Sequence, residues 1–415
     1  MAIELLIIAD DLTGAADTAV QFSKQGIRPA LFLTTEVGFD RLDPAIKVVA
    51  VNTESRHLPQ GEAFERVKSI AEKARRKGCR RFYKKIDSTF RGNVGAELDA
   101  LMTAAGAPRL MLVPAYPAAG RTTRGGYQYV NGKPLHESAF SRDPLEPMAE
   151  SFIPSILKKQ TLRAVHLIDR NSVSGEGIGA ESKSGILLFD AETDGDCAAI
   201  AGILDKSGEL NLVAGAAGFA EILAGHYAGL YGRGYTGQFS SHKALSNPGP
   251  LFVVNGSLND VSLGQVEQAK QEGAACFFVP PAAARNDSAS TKSLVDTVVQ
   301  CLKSEHCAVL TTAASGSGII PAVHTENIGR TAAAVVRAVP AANVALFGGD
   351  TAAAVCRSLG YEVLYPRDEI MPGLTVCSAG KTTIGGAPDA LIILKSGGFG
   401  SRDVIGKIRK YLRSR

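Results

Sequence analysis

Glu4-Leu5-Leu6-Ile7-Ile8-Ala9-Asp10-Asp11-Leu12-Thr13-Gly14-Ala15-Ala16-Asp17 decides how the whole chain is read. A short apolar run stops at two aspartates, and a Thr-Gly turn then opens an alanine-rich helical pattern. A buried strand that hands directly to a helix is the first half of a βαβ unit, which builds parallel sheet.

Outward from that stretch the alternation continues to the end of the chain. Strands are expected near 3–9, 29–34, 47–52, 81–86, 109–114, 164–168, 185–190 and 211–215, with helices near 14–25, 60–77, 93–104, 146–158, 195–206 and 218–229. The second half repeats the pattern, with strands near 251–255, 275–279, 307–312, 343–347, 362–365 and 390–395 and helices near 260–272, 291–304, 327–339, 351–359 and 402–413. The fold class is α/β: two domains, each a mostly parallel sheet flanked by helices, with a cleft between them. Turn formers crowd Gly232-Arg233-Gly234-Tyr235-Thr236-Gly237 and Asn247-Pro248-Gly249-Pro250, which sets the boundaries at residues 1–234, a linker at 235–249 and a second domain at 250–415. Within 116–145, Asn131-Gly132 between alternating residues is a hairpin signal and predicts a flap.

Composition narrows the partners. The 415 residues are 45% hydrophobic, enough for sizeable cores, and 45 Lys+Arg against 41 Asp+Glu leave a formal charge of +4 with no long basic run, which argues against nucleic acid. Seven scattered cysteines without a Cys-x-x-Cys pair read as reduced thiols, and neither a signal-peptide pattern nor an apolar stretch of membrane-spanning length is found. A cytoplasmic protein is expected.

In open α/β sheets, ligands bind beyond the carboxyl ends of strands. An aspartate after the first strand commonly caps the next helix, but Asp10 and Asp11 side by side exceed what capping requires, and one of them could deprotonate a hydroxyl. The third strand leads to Arg56, and the fourth to Lys85-Ile86-Asp87-Ser88-Thr89-Phe90-Arg91-Gly92-Asn93. Cations beside carboxylates suit a small anionic, polyhydroxylated ligand, with forked guanidinium donors for its carboxylate. In the second half the strand ends carry glycine instead: Asn255-Gly256-Ser257, Gly348-Gly349-Asp350-Thr351 and Lys395-Ser396-Gly397-Gly398-Phe399-Gly400. Such turns let backbone amides approach phosphate at a helix N-terminus, so three of them favour a nucleotide. Gly380-Lys381-Thr382 imitates the end of a P-loop, but the position of its first glycine is Thr375, and no G-x-G-x-x-G follows the first strand.

These six motifs, Asp10-Asp11-Leu12-Thr13-Gly14-Ala15 with Asp17, the Lys85 to Asn93 run, Pro114-Ala115-Tyr116-Pro117 with Gly120-Arg121, Gly256-Ser257, Gly348 to Ala352 and Lys395 to Gly400, occur in the order of the four-carbon acid sugar kinases, and the chain resembles that family from residue 5 to about 403. It departs from the family's pattern at Asn255 and Gly398. The resemblance implies an ATP-dependent kinase acting on the terminal (4-) hydroxyl of a four-carbon sugar acid. The acid would be held in the N-terminal domain by Asp10, Arg56, Lys85, Ile86, Asp87, Ser88 and Arg91, with Asp10 or Asp11 as base. Ser257, Gly348, Gly349, Asp350, Thr351, Lys395, Ser396 and Gly397 would hold ATP with Mg²⁺, Lys395 facing phosphate. Ala118 to Arg121 and Arg142-Asp143-Pro144 look most like the D-threonate kinase branch, beside D-erythronate and 3-oxo-tetronate kinases. The partners expected are a small-molecule sugar acid and ATP, with neither nucleic acid nor membrane and a homodimer left open. A metal-dependent dehydratase or aldolase, and a non-catalytic binding protein, are the other classes the residues allow.

Overall fold

Strands buried on both faces need helices on both, and Leu5–Ala9, Val48–Asn52 and Gly185–Phe189 are buried along their whole length. The structure, a computed structural model, describes residues 3–143, 146–173, 183–231, 249–279, 289–312, 321–379 and 390–414. The chain forms two compact units, Met1–Gly237 and Gln238–Arg415. Of the expected linker, 235–248 lies outside the described residues, as do Pro144 and Gly380-Lys381-Thr382.

The first unit runs β1 (Leu5–Ala9), α1 (Leu12–Lys24), β2 (Pro29–Phe32), β3 (Val48–Asn52), α2 (Gln60–Arg76), β4 (Arg81–Lys85), α3 (Val94–Ala105), β5 (Arg109–Val113), β6 (Arg121–Arg124), β7 (Tyr127–Val130), β8 (Lys133–Pro134), α4 (Ile153–Lys158), β9 (Val165–Ile168), β10 (Gly185–Phe189), α5 (Asp194–Lys206), β11 (Leu212–Gly215) and α6 (Ala217–Tyr231). Its main sheet has the order β2-β3-β1-β4-β11-β5-β10-β9, parallel throughout. The register sets Ala9 opposite Asn52 and Lys85, so residues 10, 53 and 86 leave the sheet side by side. That edge is the point where the strand order reverses around β1.

The second unit runs β12 (Leu251–Asn255), α7 (Asp260–Gln271), β13 (Ala275–Phe278), α8 (Ala289–Glu305), β14 (Cys307–Thr311), α9 (Pro321–Ala338), β15 (Asn343–Phe347), α10 (Gly349–Leu359), β16 (Val363–Met371), β17 (Leu374–Ala379), β18 (Leu391–Lys395) and α11 (Val404–Arg413). The order is β13-β14-β12-β15-β18-β17-β16, parallel as far as β18 and antiparallel beyond. Asn255 pairs with Thr311 and Phe347, and Phe347 with Lys395, so here too the loops of interest share one edge. Val253, Val309, Ala345, Val376 and Ile393 pack in a core closed by Val404, Ile405 and Ile408 of α11.

The α/β class is as expected, and so is the hairpin. Asn131 and Gly132 both have positive φ, 50° and 78°, the primed turn that Asn-Gly favours. The flap is a three-stranded sheet, β6-β7-β8. Three expectations differ. The helix anticipated over 146–158 is only α4, because the backbone of 151–153 pairs with the flap: Gln128 N–H donates to Ser151 and Ile153 N–H to Gly126. The short strand at 362–365 extends as β16 to Met371, and β17 returns antiparallel through Pro372-Gly373, a dipeptide that marks such turns. Helix α9 begins at Pro321 rather than 327, as proline suits a first helical turn.

Candidate active site

The edge of β1, β3 and β4 gathers the charges. Asp11 is the N-cap of α1: its Oδ1 accepts from Gly14 N–H at 2.9 Å and its Oδ2 from Thr13 Oγ1 at 2.9 Å. Glycine is required at 14, since a Cβ there would overlap the Asp11 carboxylate and lie 3.1 Å from Lys85 Nζ. Asp10 has no capping task. Its Oδ2 accepts from Arg56 Nε at 2.6 Å, while its Oδ1 is buried without a hydrogen-bond partner among the described residues. Burial works against the Asp10 charge, yet Arg56, with Lys84 and Lys85, outweighs it and holds the carboxyl below its usual range.

Arg56 ties the aspartates together. Nη1 reaches Asp11 Oδ2 at 3.3 Å, and Nη2 lies 4.0 Å from Asp87 Oδ1, beyond hydrogen-bond reach. The expected carboxylate clamp therefore has two of its arms on acidic side chains of the protein. Asp87 and Arg91 form a bidentate pair, Nε–Oδ2 2.9 Å and Nη2–Oδ1 3.0 Å, and Thr89 Oγ1 donates to Asp87. Burial opposes ionisation of Asp87, but Arg91 and Arg56 hold it well below the carboxylate range. Arg91 also bonds Asp143 at 3.0 Å and lies over the Phe140 ring, as does Arg121 from 5.8 Å. Lys85 Nζ donates to the Ile86 carbonyl at 2.6 Å. Ser88 is half-buried, and its carbonyl accepts from Gln128 of the flap at 2.8 Å.

The loops that present these groups are held in unusual backbone. Glu54 and Phe90, neither a glycine, have φ of 47° and 60°, a conformation that persists where surrounding structure imposes it. Asn93 supplies part of that: its amide donates to the carbonyls of Ser55, Arg56 and Leu58. Sequence reading missed Lys84, Glu97 and Gln128, and it singled out Asp143 without its pairing to Arg91. Glu97 left a signal, as it occupies the apolar stripe of α3 with Val94, Leu98 and Leu101.

The second unit's edge is built from backbone. A Cβ on Gly397 would lie 2.6 Å from Ser257 Oγ, one on Gly348 3.3 Å from Ser257 Cβ, and one on Gly256 would overlap Thr351 Oγ1, so the three turns meet. Gly348 caps α10 with φ 98° and no side-chain hydrogen bond, so the first turn of the helix, at Gly349, exposed Asp350 and buried Thr351, points its amides along the edge towards an anion's position. Such a cradle fits a nucleotide's phosphates. Lys395 is turned inward: its Nζ donates to Ser262 Oγ (3.0 Å) and to the carbonyls of Ser396 (3.0 Å) and Gly397 (3.1 Å), over the Phe347 ring. Burial lowers its pKa to about 7. Gln265 holds the same loop through the carbonyls of Phe399, Gly400 and Ser401.

A charged edge suited to a hydroxy acid and a glycine cradle suited to phosphate define a two-unit phosphotransferase, and comparison with known proteins agrees. Residues 5–223 match a sugar-binding N-terminal domain and residues 252–405 a nucleotide-binding C-terminal domain. The chain is 32% identical to a D-threonate kinase of Bordetella bronchiseptica over 422 aligned positions, covering 99% of this chain and 97% of that one. It is 27% identical to a 3-oxo-tetronate kinase of Pseudomonas savastanoi pv. phaseolicola, covering 98% and 96%. A solved structure from Salmonella typhimurium LT2 shares the fold with a TM-score of 0.78, covering 99% of both chains at 23% identity. The chain belongs to the four-carbon acid sugar kinase family. Among the described residues, no helix is long and apolar enough to cross a membrane.

Proposed function

We propose that this protein transfers the γ-phosphoryl group of ATP to the terminal hydroxyl of a four-carbon sugar acid, with D-threonate as the first candidate. The observation that carries this reading is Asp10 Oδ1, a buried carboxylate oxygen without a partner, kept anionic by Arg56 at the rim of a cation-rich strand edge.

In this reading Asp10 orients the acceptor hydroxyl and takes its proton at Oδ1 as the oxygen attacks. A strong base is not required, because the transition state of phosphoryl transfer is loose and the proton leaves late. Arg56 fixes Asp10, Asp11 fixes the start of α1, and Lys85, Ser88 and the third arm of Arg56 face the acid and its hydroxyls. Asp87 and Arg91, already paired, shape that surface. In the second unit the amides around Ser257, Gly348, Gly349, Asp350, Thr351, Ser396 and Gly397 cradle phosphates, and Lys395 holds the last of these turns from beneath. When bound, ATP would supply the phosphoryl group and Mg²⁺ would offset its charge. The relatives named as D-threonate kinases support the choice of acid: a second one, from Salmonella typhimurium, is 31% identical over 96% of each chain.

A coupled ADP-release assay with Mg-ATP over D-threonate, D-erythronate and 3-oxo-tetronates tests the proposal. Turnover fastest with D-threonate is the expected result. No ADP above background with any tetronate would sink the reading, and turnover without ATP would move the protein to the dehydratase or aldolase class.

A further inference from the structure

Lys84 and Glu97 form an ion pair that the reaction above leaves without a task. Both are buried, and Lys84 Nζ lies 2.9 Å from Glu97 Oε2. Removing two charges from water commonly costs as much as their attraction returns, and apolar pairs of like volume are often at least as stable. Stability alone therefore gives a weak reason for this pair.

Its contacts give a better one. Lys84 Nζ also donates to the Lys85 carbonyl at 2.9 Å, where β4 ends and the run from Ile86 begins. Glu97 Oε1 accepts from Ser55 Oγ, which lies 2.7 Å from Thr53 Oγ1, and Thr53 Oγ1 donates to the Ala9 carbonyl at 2.8 Å. Ser55 N–H donates to the Asp10 carbonyl at 3.2 Å, and Ser55 precedes Arg56. One buried pair thus joins the ends of β1, β3 and β4. We propose that Lys84 and Glu97 are positioning residues that lock the turns carrying Asp10, Arg56 and Lys85. The inference rests on the reading of Asp10 as the base.

The charged groups around Asp10 are Arg56 and Asp11, Lys84 and Lys85 on β4, Asp87 beyond it and Glu97 on α3. Burial and the Asp10 charge push the Glu97 carboxyl up, and Lys84 restrains it. Lys84 also acts directly on Asp10, lowering its carboxyl. Once the pair no longer locks these turns, Arg56 loosens from Asp10, and the Asp10 carboxyl rises towards its ordinary value.

The test is K84M/E97M, which leaves neither charge alone, with K84Q/E97Q as the polar alternative should the first fail to fold. Carboxyl carbon NMR is expected to show Asp10 titrating about one pH unit higher, a tenfold change in proton affinity. The acid limb of kcat/KM for the tetronate should move with it, kcat should fall at least tenfold, and KM for ATP should hold. An Asp10 titration and an acid limb that both stay in place, whatever the melting temperature does, would overturn the proposal. The titration needs no turnover, so a wild-type protein inactive on every tetronate would sink the functional reading and leave this inference to be decided separately.

Discussion

The two units solve the same topological problem with opposite chemistry. In each, the first strand lies between the third and the fourth of its unit, β2-β3-β1-β4 and β13-β14-β12-β15, so a crevice opens at the carboxyl end of the first strand. The first unit fills that edge with ionised side chains locked onto one another: Asp10, Asp11, Arg56, Asp87 and Arg91. The second fills it with glycine turns and buries its lysine beneath them. A hydroxy acid varies in shape and stereochemistry, and fixed side-chain forks discriminate shape. Phosphate is the same in every nucleotide, and backbone amides suffice for it.

Substitutions that separate the two edges would break or sharpen this contrast. The largest effect is expected from Asp10→Asn, which keeps size and removes basicity. Turnover should drop about 10²- to 10⁴-fold, the span of general acid–base catalysis, with ADP affinity unchanged. Gly397→Val addresses the other edge. Its Cβ would meet Ser257 Oγ at 2.6 Å, and crowding of this kind costs about 1–3 kcal/mol. Calorimetric titration should show weaker ADP binding, because the displaced turn no longer presents its amides, with tetronate binding intact. Parallel loss of both ligands in either folded variant would mean that the edges do not act separately.

Much of this was legible because charge and glycine at strand ends have few structural excuses. Asp10, Arg56 and Asp87 stood out in the sequence, and so did the glycines of residues 348–349 and 397. What could not be read was pairing. Arg56 looked like a clamp for substrate, but two of its arms are on Asp10 and Asp11. Lys395 looked like a phosphate ligand, but it supports the turn from within. Lys84 hides beside Lys85 because neighbouring strand residues face opposite ways, which only the sheet's surroundings reveal. The antiparallel β16–β17 pair was missed although Pro372-Gly373 announces it, since the expected alternation of strand and helix overrode a local turn signal.

Lys395 supplies a pH test of the second edge. Its folded pKa, about 7, lies below the ordinary lysine value because burial disfavours the ammonium. A phosphate seated on the amides above it favours the charged form and raises that pKa, so binding takes up a proton. ADP binding measured at pH 7 in buffers of different ionisation enthalpy should show about half a proton taken up, and affinity should weaken by up to about tenfold per pH unit above 7. Uptake that persists in Lys395→Met would assign the proton elsewhere.

The smallest expected effect separates the adjacent aspartates of the first edge. Asp11 accepts from Gly14 N–H and Thr13 Oγ1 and meets Arg56 only at 3.3 Å, whereas Asp10 takes the Arg56 Nε at 2.6 Å and keeps one oxygen without a partner. In the proposed reaction Asp11 is then chiefly a cap and Asp10 the proton acceptor. Asp11→Ala should lower stability by about 1 kcal/mol, and Asp11→Asn, whose carboxamide oxygen can still cap, should restore most of it. Denaturant melts would give those values, and the same proteins would be assayed for ADP release. Turnover in Asp11→Asn should stay within about tenfold of wild type, since what it loses is one long ion pair to a guanidinium still held by Asp10. If Asp11→Asn and Asp10→Asn suppressed turnover equally, at equal stability, the two carboxylates would share the proton and the cap reading of Asp11 would fail.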